Sequence, residues 1–287
     1  MRYFNLIMTV REYLIRTCAI AIIILISTFC YAHPGIGIVC DSRDNIFYSD
    51  LANVYKISNG RTSIAVANVH THELYLDEND ILYGEHVSYQ PGTEKFYHYL
   101  WRLTPDGDLD TVVDLSQAYI KHDFSLARDR QGNEYYLRLK DTQRLYKRDV
   151  SGRENVFATG NFAGIKWLHP QHDGSLLLVS DNNVLRITAT GSTVVLARNI
   201  GNSKPSFAFC EDNITIWGAW EDHNRNVYVA VFSDQAIKQI TPKGEVSVRY
   251  TSTGKWSPTH GVFDKKGKLW VLECSDKNEI RVVLAPS

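Results

Sequence analysis

Six stretches of the chain share one pattern: an apolar alternation, a polar turn rich in Asp, Asn or Gly, and a second apolar alternation. They read GIGIVCDSRDNIFYSD, HELYLDENDILYGE, FSLARDRQGNEYYLR, KWLHPQHDGSLLLVS, WGAWEDHNRNVYVAV and HGVFDKKGKLWVLE. Period-two alternation broken by a tight turn predicts a strand, turn, strand unit. After each of the first five come two shorter apolar runs joined by a Gly-containing turn, as in NVLRITATGSTVVLA. One unit therefore predicts a four-stranded antiparallel meander. The turn starts, Asp41, Asp77, Asp129, Gln171, Asp222 and Asp264, are spaced by 36 to 52 residues, as in propeller blades. The sixth unit adds only EIRVVL. Beyond the leader no helical periodicity lasts longer than two turns, so the pattern predicts an all-β chain, a six-bladed β-propeller of four-stranded antiparallel blades.

The first 32 residues stand outside this pattern. MRYFNLIMTVREYLIRT is basic and CAIAIIILISTFCYA is apolar, the two regions of a secretory signal. The apolar run is shorter than the ~20 residues a membrane-spanning helix needs. The reading is a signal peptide over 1–32, cleaved after Ala32, and a propeller domain over 33–287, with export to the periplasm or the extracellular space. Losing Arg2, Arg11, Arg16 and Glu12 with the leader moves the formal net charge from −1 to about −3. Such a surface has no electrostatic footprint for nucleic acid or for an anionic membrane. The expected partner is a small-molecule substrate or ligand, and the expected state a monomer. Three cysteines remain, Cys40, Cys210 and Cys274, an odd number with no Cys-x-x-Cys pair, which argues against a disulfide framework or a zinc-thiolate site.

SPTHGVFDKKGKLWVLE and NVLRITATG resemble the repeats of NHL and SMP-30/gluconolactonase-type propellers. The resemblance covers most of the mature chain at the level of repeat pattern. It implies the fold, whereas activity varies widely on that architecture. The calcium-binding segments of the SMP-30 lactonases are not recognisable here, which weighs against gluconolactonase activity.

In a propeller the first strand of each blade lines the central channel, so first-strand starts and second-strand ends converge at one mouth. At the first-strand starts stand His72, His122 and His260; at the second-strand ends stand Asp50, Glu85, Arg138 and Glu273. Three neutral imidazoles from separate strands suit a divalent metal, zinc or calcium, with an open coordination position. Glu85 or Glu273 would then act as general base and Arg138 as an anion clamp. His70 falls in an inter-blade loop, and His169, His172 and His223 are expected in solvent-exposed turns on the opposite face. The functional expectation is an exported metal-dependent lyase or hydrolase for a small polar or carbonyl-bearing substrate. The alternative is a non-catalytic secreted propeller that binds a protein or small ligand.

Overall fold

The structure, a computed structural model, describes residues 35–89, 96–118, 127–138, 141–201 and 215–286; side chains at 89, 96–98, 113–118 and 166 are left aside. The leader lies outside these residues. Blade one contains β1 (Ile38–Cys40), β2 (Ile46–Ser49), β3 (Asn53–Ser58) and β4 (Arg61–Ala67), and blade two β5 (Leu74–Leu76), β6 (Leu82–Tyr89), β7 (Phe96–Leu103) and β8 (Leu109–Ala118). Blade three contains β9 (Glu134–Arg138), β10 (Asp141–Arg148) and β11 (Glu154–Thr159), with an Arg128–Glu134 bridge at its inner edge. Blade four is β12 (Ile165–Pro170), β13 (Leu176–Ser180), β14 (Asn183–Ile187) and β15 (Thr193–Ala197). Blade five is β16 (Ile216–Glu221), β17 (Val227–Val231), β18 (Ala236–Ile240) and β19 (Val246–Thr251), and blade six β20 (Trp256–Phe263), β21 (Leu269–Ser275) and β22 (Ile280–Leu284). Strand order follows sequence order within every sheet, which makes the molecule the six-bladed propeller that the repeat predicts.

The first turn of each blade shows why Asp recurs there. In five blades the turn Asp donates its backbone N–H to the carbonyl four residues on, and its Oδ1 accepts the N–H groups two and four residues on, as Asp264 does from Lys266 and Lys268, both at 2.9 Å. A side chain thus takes over backbone donors that the turn would otherwise orphan. Blade four has Gln171 instead, and Asp173 caps Ser175 at 3.0 Å. The fourth turn position is left-handed in all six blades, and Arg225 holds it at φ 68° where Gly or Asp stands elsewhere. Arg225 is retained there by ion pairs with Asp173 at 2.6 Å and Glu221 at 3.0 Å.

Burial sorts the strands by their distance from the axis. The second strands β13 and β17 are buried on both faces, as their unbroken apolar runs LLLV and VYVAV require. The outer strands β4, β15 and β19 are mostly exposed. Apolar clusters fill the blade interfaces, such as Trp167, Leu177 and Val179 against Ala219, Val227 and Val229. The ring closes between blades six and one by the same means: Ile38 and Ile46 pack with Leu272, and the Lys265 N–H donates to Asp44 Oδ1 at 2.9 Å.

Candidate functional site

A cavity of about 300 Å³ occupies the central channel, walled by first-strand residues and first turns of all six blades. It runs along the strand ends that lead into those turns, the half opposite the mouth expected from the sequence. Residues 119–126 and 202–214, among them His122 and Cys210, lie outside the described residues.

Three imidazoles and two carboxyls gather in blade two. His70 and His72 place their Nε2 atoms 2.9 Å apart, and their rings meet edge to face with centroids at 4.7 Å. His86 Nδ1 accepts the His70 backbone N–H at 3.0 Å. His70 lies in the loop between blades one and two, as expected, and from there its ring partners that of His72. Leu74 with Gly84 ends the β5–β6 ladder, and Glu73 and Glu85 flank that last pair. Glu73 lines the cavity and is half-buried. Burial, and then the charge of Glu85, push the Glu73 carboxyl up to about 7; burial does the same to Glu85, also to about 7. Two half-buried carboxyls this close cannot both ionise cheaply, so they titrate as one pair that keeps a proton near neutrality.

His260 sits on β20, 7% exposed, between Trp167 and Trp220 with ring centroids at 5.6 and 5.1 Å. Burial, and the neighbouring His169, push it down to about 3, so it is a neutral imidazole throughout the physiological range. Its seat depends on Gly218: a Cβ there would fall 2.0 Å from His260 Cδ2. His169 and His172 are exposed, as expected, and border the cavity. His172 stands in its turn, whereas His169 is on the channel-lining strand β12, which runs to Pro170, stacked on Trp167 at 5.3 Å with an interplanar angle of 5°. Desolvation of its ring against the wall, together with His172, pushes it down to about 4. His223 is exposed in its turn, as expected.

The remaining candidates are engaged in the scaffold. Glu273 is 0% exposed and accepts from Tyr250 Oη at 2.8 Å and Arg281 Nε at 2.7 Å; it is not part of the cavity wall. Arg138 has a side chain 48% exposed, pairs with Glu154 and lies 4.3 Å over the Tyr146 ring. Asp50 caps the Ala52 and Asn53 N–H groups at 2.9 and 2.7 Å. Burial with Asp44 and Asp41 nearby pushes the Cys40 thiol up to about 12, far from a nucleophile's range. Among the described residues no three His, Cys, Asp or Glu side chains are placed to share a metal ion. His72 is engaged with His70 and His260 is wedged between indoles, so these two do not form the expected three-histidine centre by themselves.

Glu73 was not singled out by sequence. The signal was present: once the hairpin turn is centred on Asp77 to Ile81, strand pairing puts residue 73 opposite residue 85.

No protein-family model matches the chain, and no curated protein sequence matches it. Solved structures do. A streptogramin B lyase aligns with a TM-score of 0.55 at 14% identity, covering 87% of this chain and 93% of its own. A gluconolactonase from Xanthomonas campestris aligns at 0.56 with 12% identity, covering 89% and 88%. An auxiliary nutrient binding protein from Bacteroides ovatus aligns at 0.58 with 12% identity, covering 88% and 69%. At such identities the likeness is one of fold: this chain shares the propeller architecture with enzymes and with a binding protein alike.

Proposed function

We propose that this protein is an exported lyase or hydrolase that acts on a small polar or carbonyl-bearing molecule in the central channel. The observation that carries the reading is that Glu73 and Glu85 flank the Leu74–Gly84 pair that ends the β5–β6 ladder, with Glu73 on the cavity wall. A carboxyl held near neutrality is suited to both halves of proton transfer. Its protonated form donates to a leaving oxygen or a carbonyl, and its ionised form takes a proton from water or from a carbon next to a carbonyl. Glu85 keeps Glu73 in that range through like charge. The neutral rings of His169 and His260 and the indoles of Trp167 and Trp220 keep the surroundings dry enough to sustain the shift. The propeller architecture shared with a lyase and a gluconolactonase supports the class, and the basic-apolar leader supports export.

A divalent ion, zinc or calcium, belongs to the proposal only through His72, His122 and His260. The described residues bring no three ligands together, so no proton-transfer step is routed through an ion here. A second reading, binding without chemistry, is favoured by the likeness to the nutrient binding protein and by a cavity wall rich in aromatic rings.

The test is turnover of a panel of small lactones and esters by the purified protein, by Glu73→Gln and by Glu85→Gln, with and without chelator. The expected result is a loss of about 10²-fold or more in kcat/KM for Glu73→Gln. Turnover that survives Glu73→Gln unchanged would overturn the mechanism. A wild type inert toward the whole panel would leave the binding reading in its place.

A further inference from the structure

The first turns of neighbouring blades are tied to one another at three junctions. The Ser42 N–H of blade one donates to Asp80 Oδ1 of blade two at 2.9 Å, the Lys265 N–H of blade six to Asp44 Oδ1 of blade one at 2.9 Å, and Asp173 of blade four pairs with Arg225 of blade five at 2.6 Å. Between blades three and four two basic side chains meet instead. Arg130 and His172 hold the same place in their turns, one residue after Asp129 and Gln171. Loss of hydration, and then the charge of Arg130, lower the His172 imidazole below its ordinary value. Among the described residues neither side chain makes an ion pair or a hydrogen bond.

This junction is also where the cavity opens between turns. Among the described residues, only here do turn side chains beyond the first position reach its wall: Arg130, Gln131 and His172. His169 borders the same cavity from the end of β12. One sector of the mouth thus presents a guanidinium, an amide and two imidazoles, all able to donate hydrogen bonds.

The carboxylates around this sector are already engaged. Asp129 caps its own turn and pairs with Lys147 at 3.7 Å. Glu134 holds Arg128 and Arg148, and Glu221 and Asp173 hold Arg186 and Arg225. Glu73, on the blade-two side of the wall, keeps a proton up to about pH 7. The charge of Arg130 is therefore surplus, and placing it against an imidazole gives nothing to the fold. A planar guanidinium fork matches a carboxylate in two parallel hydrogen bonds, and one positive charge beside two neutral imidazoles balances one negative charge.

We infer that the cavity mouth between blades three and four binds an ionised carboxylate of the channel's ligand, clamped by the Arg130 guanidinium and receiving a further N–H from His172. The inference rests on the reading of the channel as a small-molecule site and adds the class of molecule that it takes, a monocarboxylate.

Three probes of similar size separate the charge classes: cyclohexanecarboxylate, uncharged cyclohexanecarboxamide and cationic cyclohexylmethylammonium. Binding is followed by calorimetry and by the imidazole signals of the ¹⁵N-labelled protein, with His172 assigned from His172→Asn. The carboxylate should bind in the millimolar range, shift the His172 signal saturably and bind at least about tenfold more tightly than either other probe, a difference worth about 1.4 kcal/mol. Arg130→Gln should weaken it by about tenfold or more, and Arg130→Lys should restore only part, since an ammonium is a point charge without the fork. Arg43→Gln, in the exposed first turn of blade one, should change nothing. Thermal unfolding checks that the variants fold, and the comparison of probes on the wild type needs no variant. An amide that binds as tightly as the carboxylate, affinity that survives Arg130→Gln, or no carboxylate binding at tens of millimolar would overturn the inference. Inorganic phosphate binding more tightly than the carboxylate would overturn the choice of a carboxylate. Carboxylate binding that fails while Glu73-dependent turnover of uncharged lactones persists removes only this inference. Arg130-dependent binding without Glu73-dependent turnover removes only the catalytic reading.

Discussion

Glu73 and Glu85 flank the Leu74–Gly84 pair that ends the β5–β6 ladder of blade two, and burial, then the charge of Glu85, raise the Glu73 carboxyl. Like charge is thereby held beside the wall of the channel, an arrangement that gives little to stability.

The stored repulsion has a pH signature. Both carboxyls bind a proton more tightly folded than unfolded, so the penalty is absent below about pH 4, where model glutamates hold their protons, and grows as pH rises through about 7. Glu73→Gln should therefore be more stable than the wild type at pH 8, by about 1 kcal/mol after allowance for partial solvent screening. The gap should close by about pH 4. Urea unfolding at the two pH values measures it; a variant less stable at pH 8 would contradict the pairing.

The histidines give the opposite slope. His260 and His169 are held neutral in the fold, down to about 3 and about 4, whereas the unfolded chain protonates them near pH 6.5. Stability is full above that pH and is lost as pH falls toward 4, by up to about 1.4 kcal/mol per pH unit for buried His260 and by less for His169, which is exposed and screened by solvent. His169→Asn should flatten the acid limb of a denaturant midpoint against pH plot, and His260→Phe should flatten it further.

Glu273 belongs to the scaffold. Glu273→Ala would leave Arg281 and the Tyr250 hydroxyl without their shared acceptor, a loss of about 3 kcal/mol for a broken buried pair. Thermal unfolding should show that loss, while kcat/KM per folded molecule stays within about twofold of wild type, since scaffold changes away from a site act mainly through stability. A large kcat loss in a well-folded variant would return Glu273 to the site.

Gly218→Ala should drive His260 out of its seat, because the new Cβ meets the His260 ring at 2.0 Å. Overpacking of this kind costs about 1–3 kcal/mol. A variant of wild-type stability would show that the ring has another place to go.

The propeller was legible because its blades repeat a local chemical device, the Asp that caps its own turn, and because second strands buried on both faces must be apolar throughout. The channel was less legible. The expected mouth placed weight on Glu273 and Arg138, whose strand-end positions were read correctly but whose side chains are claimed by Arg281 and Glu154; ion pairing between strands leaves no trace in spacing. His169 was assigned to a turn because Pro170 and Gln171 follow it, yet the strand extends to Pro170 and carries the ring into the channel. His70 and His72, two residues apart, meet through their ring tips, a contact that strand periodicity does not foretell for residues in a loop. Glu73 was hidden by its ordinary neighbours and is exposed only by the register that pairs it with Glu85.

The most direct test of the account is a carboxyl ¹³C NMR titration of the glutamates in the wild type and in Glu85→Gln. The account predicts that Glu73 titrates near 7 in the wild type and shifts downward in Glu85→Gln while staying above the ordinary range, since burial remains. A Glu73 carboxyl titrating near 4.3 as in a model peptide, or one indifferent to Glu85→Gln, would contradict it.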